Sequence, residues 1–333
     1  QRFVSRWPVP VDSQRRCDAI AVRMPRVDLP FTLPGYTLAG LLGFGGTGEV
    51  WRGVDEATGE PIALKRLWEP AGGELVSRLR RTAALVDQTA GRHAVALRDL
   101  RMLPNDEVVL VMEYAAGGSL ASLLTRRGRL HPSEVVTLLA PLAKALATTH
   151  ANALCHGDIT PSNVVFGADG KPLLSDFGLA IATGERPADD PGYRDPALSA
   201  GWTPGPASDV FGLAAVGYMA LTGVPPRPAD DVAGGLPTTC AAAIADLTQS
   251  VPPALASAVE AALATDPDAR PDAATFAAAV LRSCSAAPIR RVEQRRTPET
   301  EARPASSGGR QRAPKHARRR PRRFGLTAVI VLS

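Results

Sequence analysis

From Tyr36 onward, apolar residues recur first at strand spacing and then at helix spacing. Short apolar runs at residues 36–42, 48–52 and 61–65, broken by glycines, read as strands. The stretch from Glu74 to Thr89 places apolar residues at 75, 79, 83, 85 and 86, close to one helical stripe. Two further strands, residues 95–102 and 108–112, flank a turn at Pro104, Asn105 and Asp106. Beyond them the period becomes helical. Ser119 caps a run to Arg127, and Ser133 begins a longer helix from Glu134 to Ala151 whose apolar positions predict one buried side. A small hairpin, residues 164–166 and 173–174 about Ala168, Asp169 and Gly170, interrupts the helices. Asp209 opens an apolar helix that runs to Thr222 and ends at Gly223, and two last helices cover residues 254–264 and 273–282. The Pro- and Gly-rich stretch 225–240 reads as surface loop, and residues 283–323, without apolar periodicity, are expected to be disordered.

Composition refines this picture. The chain has 333 residues and 45% hydrophobic content, enough for a large core in two lobes with tails. Its net charge is unevenly placed: residues 285–323 carry thirteen Lys or Arg and three Glu, a net of +10, which leaves 25 basic against 30 acidic residues elsewhere, a net of −5. The basic character therefore belongs to a tail and says nothing about the folded body. Cys17, Cys155, Cys240 and Cys284 lie far apart, with no metal-ligand spacing, and read as free thiols in a reducing compartment. Heavy use of Ala, Arg, Pro and Gly points to a GC-rich bacterial source. Residues 1–35 read as a poorly ordered leader, and residues 1–30 never sustain the apolar core of a secretory signal.

Candidate chemistry concentrates between His156 and Gly178. The sequence His156-Gly157-Asp158-Ile159-Thr160-Pro161-Ser162-Asn163 is followed by Asp176-Phe177-Gly178 across the small hairpin, which would bring Asn163 and Asp176 side by side. One carboxylate on a loop can accept a proton from a hydroxyl, while an amide oxygen and a second carboxylate are hard ligands suited to magnesium on nucleotide phosphates. Upstream, Gly43, Gly45 and Gly48 separate two apolar runs, as in a hairpin whose backbone NH groups approach phosphates, and Ala63 and Lys65 follow on the next strand. Taken singly, each signal has a bland reading: a lysine on a solvent-facing strand, a capping aspartate in a turn, a linker between strand and helix.

Together these residues resemble the protein kinase family, over residues 36–282, in its bacterial eukaryotic-type serine/threonine form. The resemblance implies an α+β, two-lobed fold: an antiparallel sheet with one helix over residues 36–114, then a mainly helical lobe over 115–282, with ATP and Mg2+ between them. It implies Asp158 as catalytic base, Lys65 on the α and β phosphates, and Asn163 and Asp176 on the metal. Leu42, Gly43, Gly45, Gly48, Val50, Ala63 and the backbone of Glu113 and Ala115 would bind the nucleotide, with Met112 as gatekeeper. His156 would brace the loop and Asp209 would support it from below.

Several positions depart from the family pattern. Where the family carries a helix glutamate to pair with the lysine, this chain has Thr82, Ala83 and Ala84. Gly157 replaces an arginine that receives an activation-loop phosphate, and Thr183 is the only hydroxyl between Gly178 and Tyr193, so switching by loop phosphorylation is not expected. Thr160 stands in place of a lysine and Asp190 in place of a threonine, and a Thr160-to-Asp190 hydrogen bond would preserve the contact while losing the charge. Ala197 replaces the glutamate that pairs with a buried arginine, for which Arg270 is the candidate. The expected function is phosphorylation of Ser or Thr in a protein substrate. A nucleotide-binding pseudokinase is the alternative, and a small-molecule phosphotransferase is not expected to keep Asp209 and Arg270.

The end of the chain leaves two readings. Arg318–Arg323 precedes nine mostly apolar residues, 324–332, too few to span a bilayer, which needs about 20. They are the start of a truncated transmembrane helix, anchoring a cytoplasmic kinase to the inner membrane face if the chain continues past Ser333, or a short apolar terminus of no consequence. The arginine cluster favours the first by the positive-inside rule. No aromatics interleave with these arginines, so no nucleic-acid partner is expected.

Overall fold

The computed structural model describes residues 31–68, 72–104, 106–183, 192–199, 204–226 and 251–290. Residues 1–30, the 227–250 stretch, Asp190 and everything after residue 290 lie outside the described residues, and with them most of the expected surface loop, the basic tail and the apolar terminus. Among the described residues no helix is long and apolar enough to cross a membrane.

The first lobe is a five-stranded antiparallel sheet in the order β1-β2-β3-β5-β4: β1 Tyr36–Gly45, β2 Gly48–Asp55, β3 Pro61–Leu67, β4 Leu97–Met102 and β5 Val108–Glu113. The two-residue side-chain period of its inner strands sorts them onto two faces. Ile62, Leu64, Val109 and Val111 pack on the outer face with Leu33 and Phe31. Ala63, Leu67, Val108, Leu110 and Met112 pack on the inner face against Val76 and Leu79 of helix α1, Gly73–Thr89. Lys65, between Ala63 and Leu67, shares that inner face. Helix α1 buries Leu79 and Val86, as the sequence stripe expects, and half-buries Leu75 and Ala83; the stripe differs in adding Val76 and in leaving Leu85 exposed.

The second lobe is helical: α2 Leu120–Arg127, α3 Pro132–Ala151, the hairpin β6 Val164–Phe166 and β7 Pro172–Leu174, α4 Leu179–Thr183, α5 Pro196–Ser199, α6 Pro206–Thr222, α7 Pro253–Ala262 and α8 Ala273–Ser283. Ser119 caps α2, its hydroxyl accepting from the Ser122 N–H, as expected. Helix α3 begins earlier than expected, because His131 rather than Ser133 is its cap. The His131 ring accepts from the chain in the first turn, Glu134 reaches back to the His131 N–H at 2.9 Å, and Pro132 opens the helix with a preset φ. Helix α6 likewise starts at Pro206, which places Asp209 inside its first turn, and Gly223 ends it in the left-handed region at φ 83°. Helices α3, α6, α7 and α8 enclose the main core, centred on Leu138, Leu142, Phe211, Val259 and Phe276.

Packing continues on both sides of residues 36–282. Leu33 is buried under the sheet. After α8 the chain runs back along α3, where Ala287 donates to Ser133 O at 3.0 Å, Thr137 donates to Ala287 O at 2.6 Å and Ile289 lies on the core.

Candidate active site

Hairpin β6–β7 brings the two halves of the site together. Val164 pairs with Leu174, and Ser175 N–H donates to Asn163 O at 2.9 Å, so Asn163 lies across from Ser175 and one residue from Asp176. The Asn163 amide donates to the Asp158 carbonyl and to Asp158 Oδ2, both at 2.9 Å, orienting the carboxylate. From the inner face of β3, Lys65 Nζ reaches Asp176 Oδ2 at 2.8 Å; its side chain is only 5% exposed. Asp176 itself has φ 60°. Four of the residues singled out in the sequence therefore meet at the lobe junction, Lys65 from the sheet and Asp158, Asn163 and Asp176 from the helical lobe.

The loop carrying Asp158 is held from beneath. Buried Asp209 accepts from the His156 N–H at 2.7 Å and the Gly157 N–H at 2.8 Å, and His150 Nε2 lies 2.9 Å from the same carboxylate. The His156 ring bridges two segments: Nδ1 accepts from the Asp158 N–H at 3.2 Å, which leaves Nε2 as donor to Ser175 O at 2.9 Å. Phe177 packs on this ring with centroids 4.9 Å apart. Cys155 sits beside His150 and Asp209, and burial, then the Asp209 charge, push its thiol up to about 12, so in the absence of a metal it is a thiol and not a reactive thiolate.

The residues expected from the sequence to bind a nucleotide lie along the sheet and at the start of the second lobe. Val50, Ala63, Met112 and Tyr114 share one apolar cluster. Leu42 is 49% exposed on β1, beside Gly43 and Gly45 at the end of the β1–β2 hairpin. Gly48 has a steric reason of its own: a Cβ there would stand 2.1 Å from Arg66 O on β3. Trp68 holds the hairpin tip, its indole donating to Gly45 O at 2.8 Å and its N–H to Thr47 O at 3.2 Å. After β5, Glu113 N–H donates to Ala96 O and Ala115 O accepts from Gly118 N–H. Thr160 is buried and lines a cavity of about 30 Å³ with Asp158, Tyr193 and Arg194, while its carbonyl accepts from Asn163 N–H at 3.1 Å.

The sequence matches the protein kinase domain over residues 36–281. This chain belongs to the protein kinase family. Among its relatives, the serine/threonine-protein kinase PknK of Mycobacterium tuberculosis is 30% identical over 86% of this chain and 28% of its own length. PknA of the same species is 33% identical over 62% of this chain and 51% of its own length, and the serine/threonine-protein kinase drp72 of Corynebacterium efficiens is 31% identical over 68% and 45%. The chain thus spans about a quarter to a half of the length of these bacterial relatives, and it carries the kinase fold.

Two features of this kinase domain that escaped the sequence reading bear on the site. Arg270 has its acid at 195: Nη1 donates to Asp195 Oδ2 at 2.7 Å and Nη2 to Oδ1 at 2.8 Å, with both side chains almost wholly buried. Remaining Arg270 donors reach Ala264 O, Ala207 O and Thr265 O. Ala197 lost its carboxylate, yet its N–H donates to Asp195 Oδ1, so the pair survives with the acid moved two residues back. The Asp195-Pro196 step, a helix-start signature, was the available signal. The second feature is α4, directly after Gly178, five residues too short for periodicity to announce.

Proposed function

We propose that this kinase is an ATP-dependent enzyme that phosphorylates Ser or Thr in a protein substrate. The observation that carries the proposal is the convergence, at one lobe junction, of Asp158 oriented by Asn163 and of Lys65 paired with Asp176. The donor set suits magnesium: with its amide nitrogen donating to Asp158, Asn163 turns its hard Oδ1 the other way, and Asp176 adds a carboxylate oxygen. Mg-ATP, when bound, supplies the γ-phosphoryl group and neutralises charge on it as it transfers.

In this reading Leu42, Val50 and Ala63 cover the adenine from the sheet. Glu113 offers its carbonyl and Ala115 its N–H to the adenine edge, since the opposite groups of each are engaged within the protein. Gly43, Gly45 and Gly48 carry backbone N–H groups over the phosphates, and Lys65 reaches the α and β phosphates while keeping Asp176 in range. Asp158 holds the acceptor hydroxyl in line and takes its proton as the oxygen bonds to the γ-phosphorus and the bond to the β-phosphate oxygen breaks, releasing ADP. Thr160 faces the same space without the charge a lysine would add. Membrane attachment through residues 324–333 is supported by the arginines before them.

A second reading, a nucleotide-binding pseudokinase, is favoured by one observation: where α1 meets the magnesium loop it sets Thr82 against Gly178, and Lys65 pairs with Asp176 rather than with an acid of α1. Incubating the full chain with γ-labelled ATP and a generic protein acceptor, beside Asp158→Asn, separates the two. Label transfer at least about a hundredfold above the variant is expected for the enzyme. No excess over the variant, with an ATP-dependent rise in melting temperature, would leave the pseudokinase.

A further inference from the structure

Two charges that could tie the lobes together are missing from this chain, the helix acid opposite Lys65 and a side chain at 157. One short helix fills the ground of both. On one side of α4, Leu179 and Ala182 enter the same buried cluster as Val76 and Leu79 of α1. On the other side Ile181 lies over Gly157 so closely that a Cβ there would be 2.7 Å from Ile181 Cγ1. Where α4 leaves the magnesium loop, a Cβ on Gly178 would be 2.9 Å from Thr82 Cγ2, so α1 rests directly on that loop at the position where an acid is absent. At the far end Arg78 Nη1 donates to Ala182 O at 3.0 Å, satisfying one of the open carbonyls of the last turn and setting a cation against its dipole. Nη2 of the same guanidinium lies 3.4 Å from Glu74, one turn back on α1.

We propose that α4 is a packed brace that replaces both missing charges, and that Arg78 is a positioning residue. By fastening α1 to the end of α4, Arg78 fixes the start of α4, three residues after Asp176, and so the place at which Asp176 holds Lys65. Gly157 is then the seat of the brace, since any side chain there would evict Ile181. This inference rests on the kinase reading and adds a regulation to it: the site is assembled by packing, with no phosphate on the loop.

The full chain is compared with Arg78→Ala, Arg78→Lys and Ile181→Ala. The side chain of Arg78 is 46% exposed and Ile181 is 46% exposed, so none of these changes removes core volume. Arg78→Ala is expected to raise KM for Mg-ATP about tenfold, in line with the loss of a charge-assisted hydrogen bond, and to speed amide exchange in α1 and α4 together while the melting temperature of the chain holds. Arg78→Lys is expected to recover most of the KM change, and Ile181→Ala to move KM in the same direction by a smaller factor. Unchanged KM and exchange in Arg78→Ala would overturn the brace, and so would faster turnover, which would make α4 a restraint on the site. Should the unaltered chain transfer no more phosphate than Asp158→Asn, the kinase reading fails by itself. The exchange measurement, with the Mg-ATP-induced shift in melting temperature, then still decides whether Arg78 holds α1 to α4.

Discussion

At the scale of single residues, the environment of Thr160 decides how fast the proposed transfer can run. Thr160 shares a cavity with Asp158 and Arg194, and no lysine stands at its position to meet charge developing on the transferred group. Thr160→Lys is expected to raise kcat by about tenfold, the effect of roughly 1.4 kcal/mol on the barrier. Steady-state kinetics at saturating Mg-ATP check this, and a lower kcat would mean that the hydroxyl matters more than the missing charge.

Glu134 makes a pH prediction at the same scale. Burial disfavours its charged form, but hydrogen bonds from Arg127, the Arg290 N–H and the His131 N–H outweigh that and hold the carboxyl down at about 2. Because the folded state binds this proton more weakly than the unfolded chain, the stabilisation is fully present above about 4.5. It is lost as pH falls from there towards about 2, and it amounts to something on the order of 3 kcal/mol. Melting curves between pH 2 and 6 should show an acid limb that Glu134→Gln flattens, with the variant less stable than the parent at pH 7.

The buried pair Asp195–Arg270 behaves differently, because removing one partner strands a charge. Asp195→Ala should cost about 3–5 kcal/mol, measured by denaturant unfolding. Asp195→Ala with Ala197→Glu, which returns an acid two residues on, should recover part of it.

At the scale of elements, most boundaries were legible and a few were displaced for identifiable reasons. Periodicity located α1 and the two inner strands, and Ser119 and Gly223 punctuate their helices as their residue types suggest. The start of α3 was misjudged because two capping signals compete within three residues. Ser133 has the better cap chemistry, but Pro132 can take the first helical position without losing a hydrogen bond, and that hands the cap to His131. The β1–β2 hairpin tip depends on Trp68, which lies beyond the glycine pattern and so carried no signal. Trp68→Ala should loosen the tip and raise KM for Mg-ATP by about threefold to tenfold with kcat little changed, since the lost indole bond to Gly45 O holds the tip in place and leaves the acceptor hydroxyl alone. Gly48→Ala should do more, because the added methyl meets the Arg66 carbonyl and forces β2 off β3.

At the scale of the whole molecule, contacts between residues far apart in the chain join the two lobes, and the proposed chemistry sits on one of them. Lys65 and Asp176 are 111 positions apart in the chain and 2.8 Å apart in space. A second long-range seam runs along α3, where Arg127, Glu134 and Arg290 lock the chain after α8 onto the helical lobe. Truncation before Ala287 removes the Ser133, Thr137 and Glu134 contacts together. It should lower the melting temperature, by about 4–8 °C for each kcal/mol lost in a small domain and by less in one of this size.

By itself the sequence determined the order and kind of the longer elements, the glycine-rich hairpin and the blocks at 156–163 and 176–178, because those follow from local periodicity, capping and spacing within a few residues. Only the tertiary structure decided which acid pairs with Arg270, that Arg78 meets Ala182, and that Ile181 takes the space above Gly157. Each of those joins distant parts of the chain, where many residues of suitable type are available and shape alone selects the one that fits.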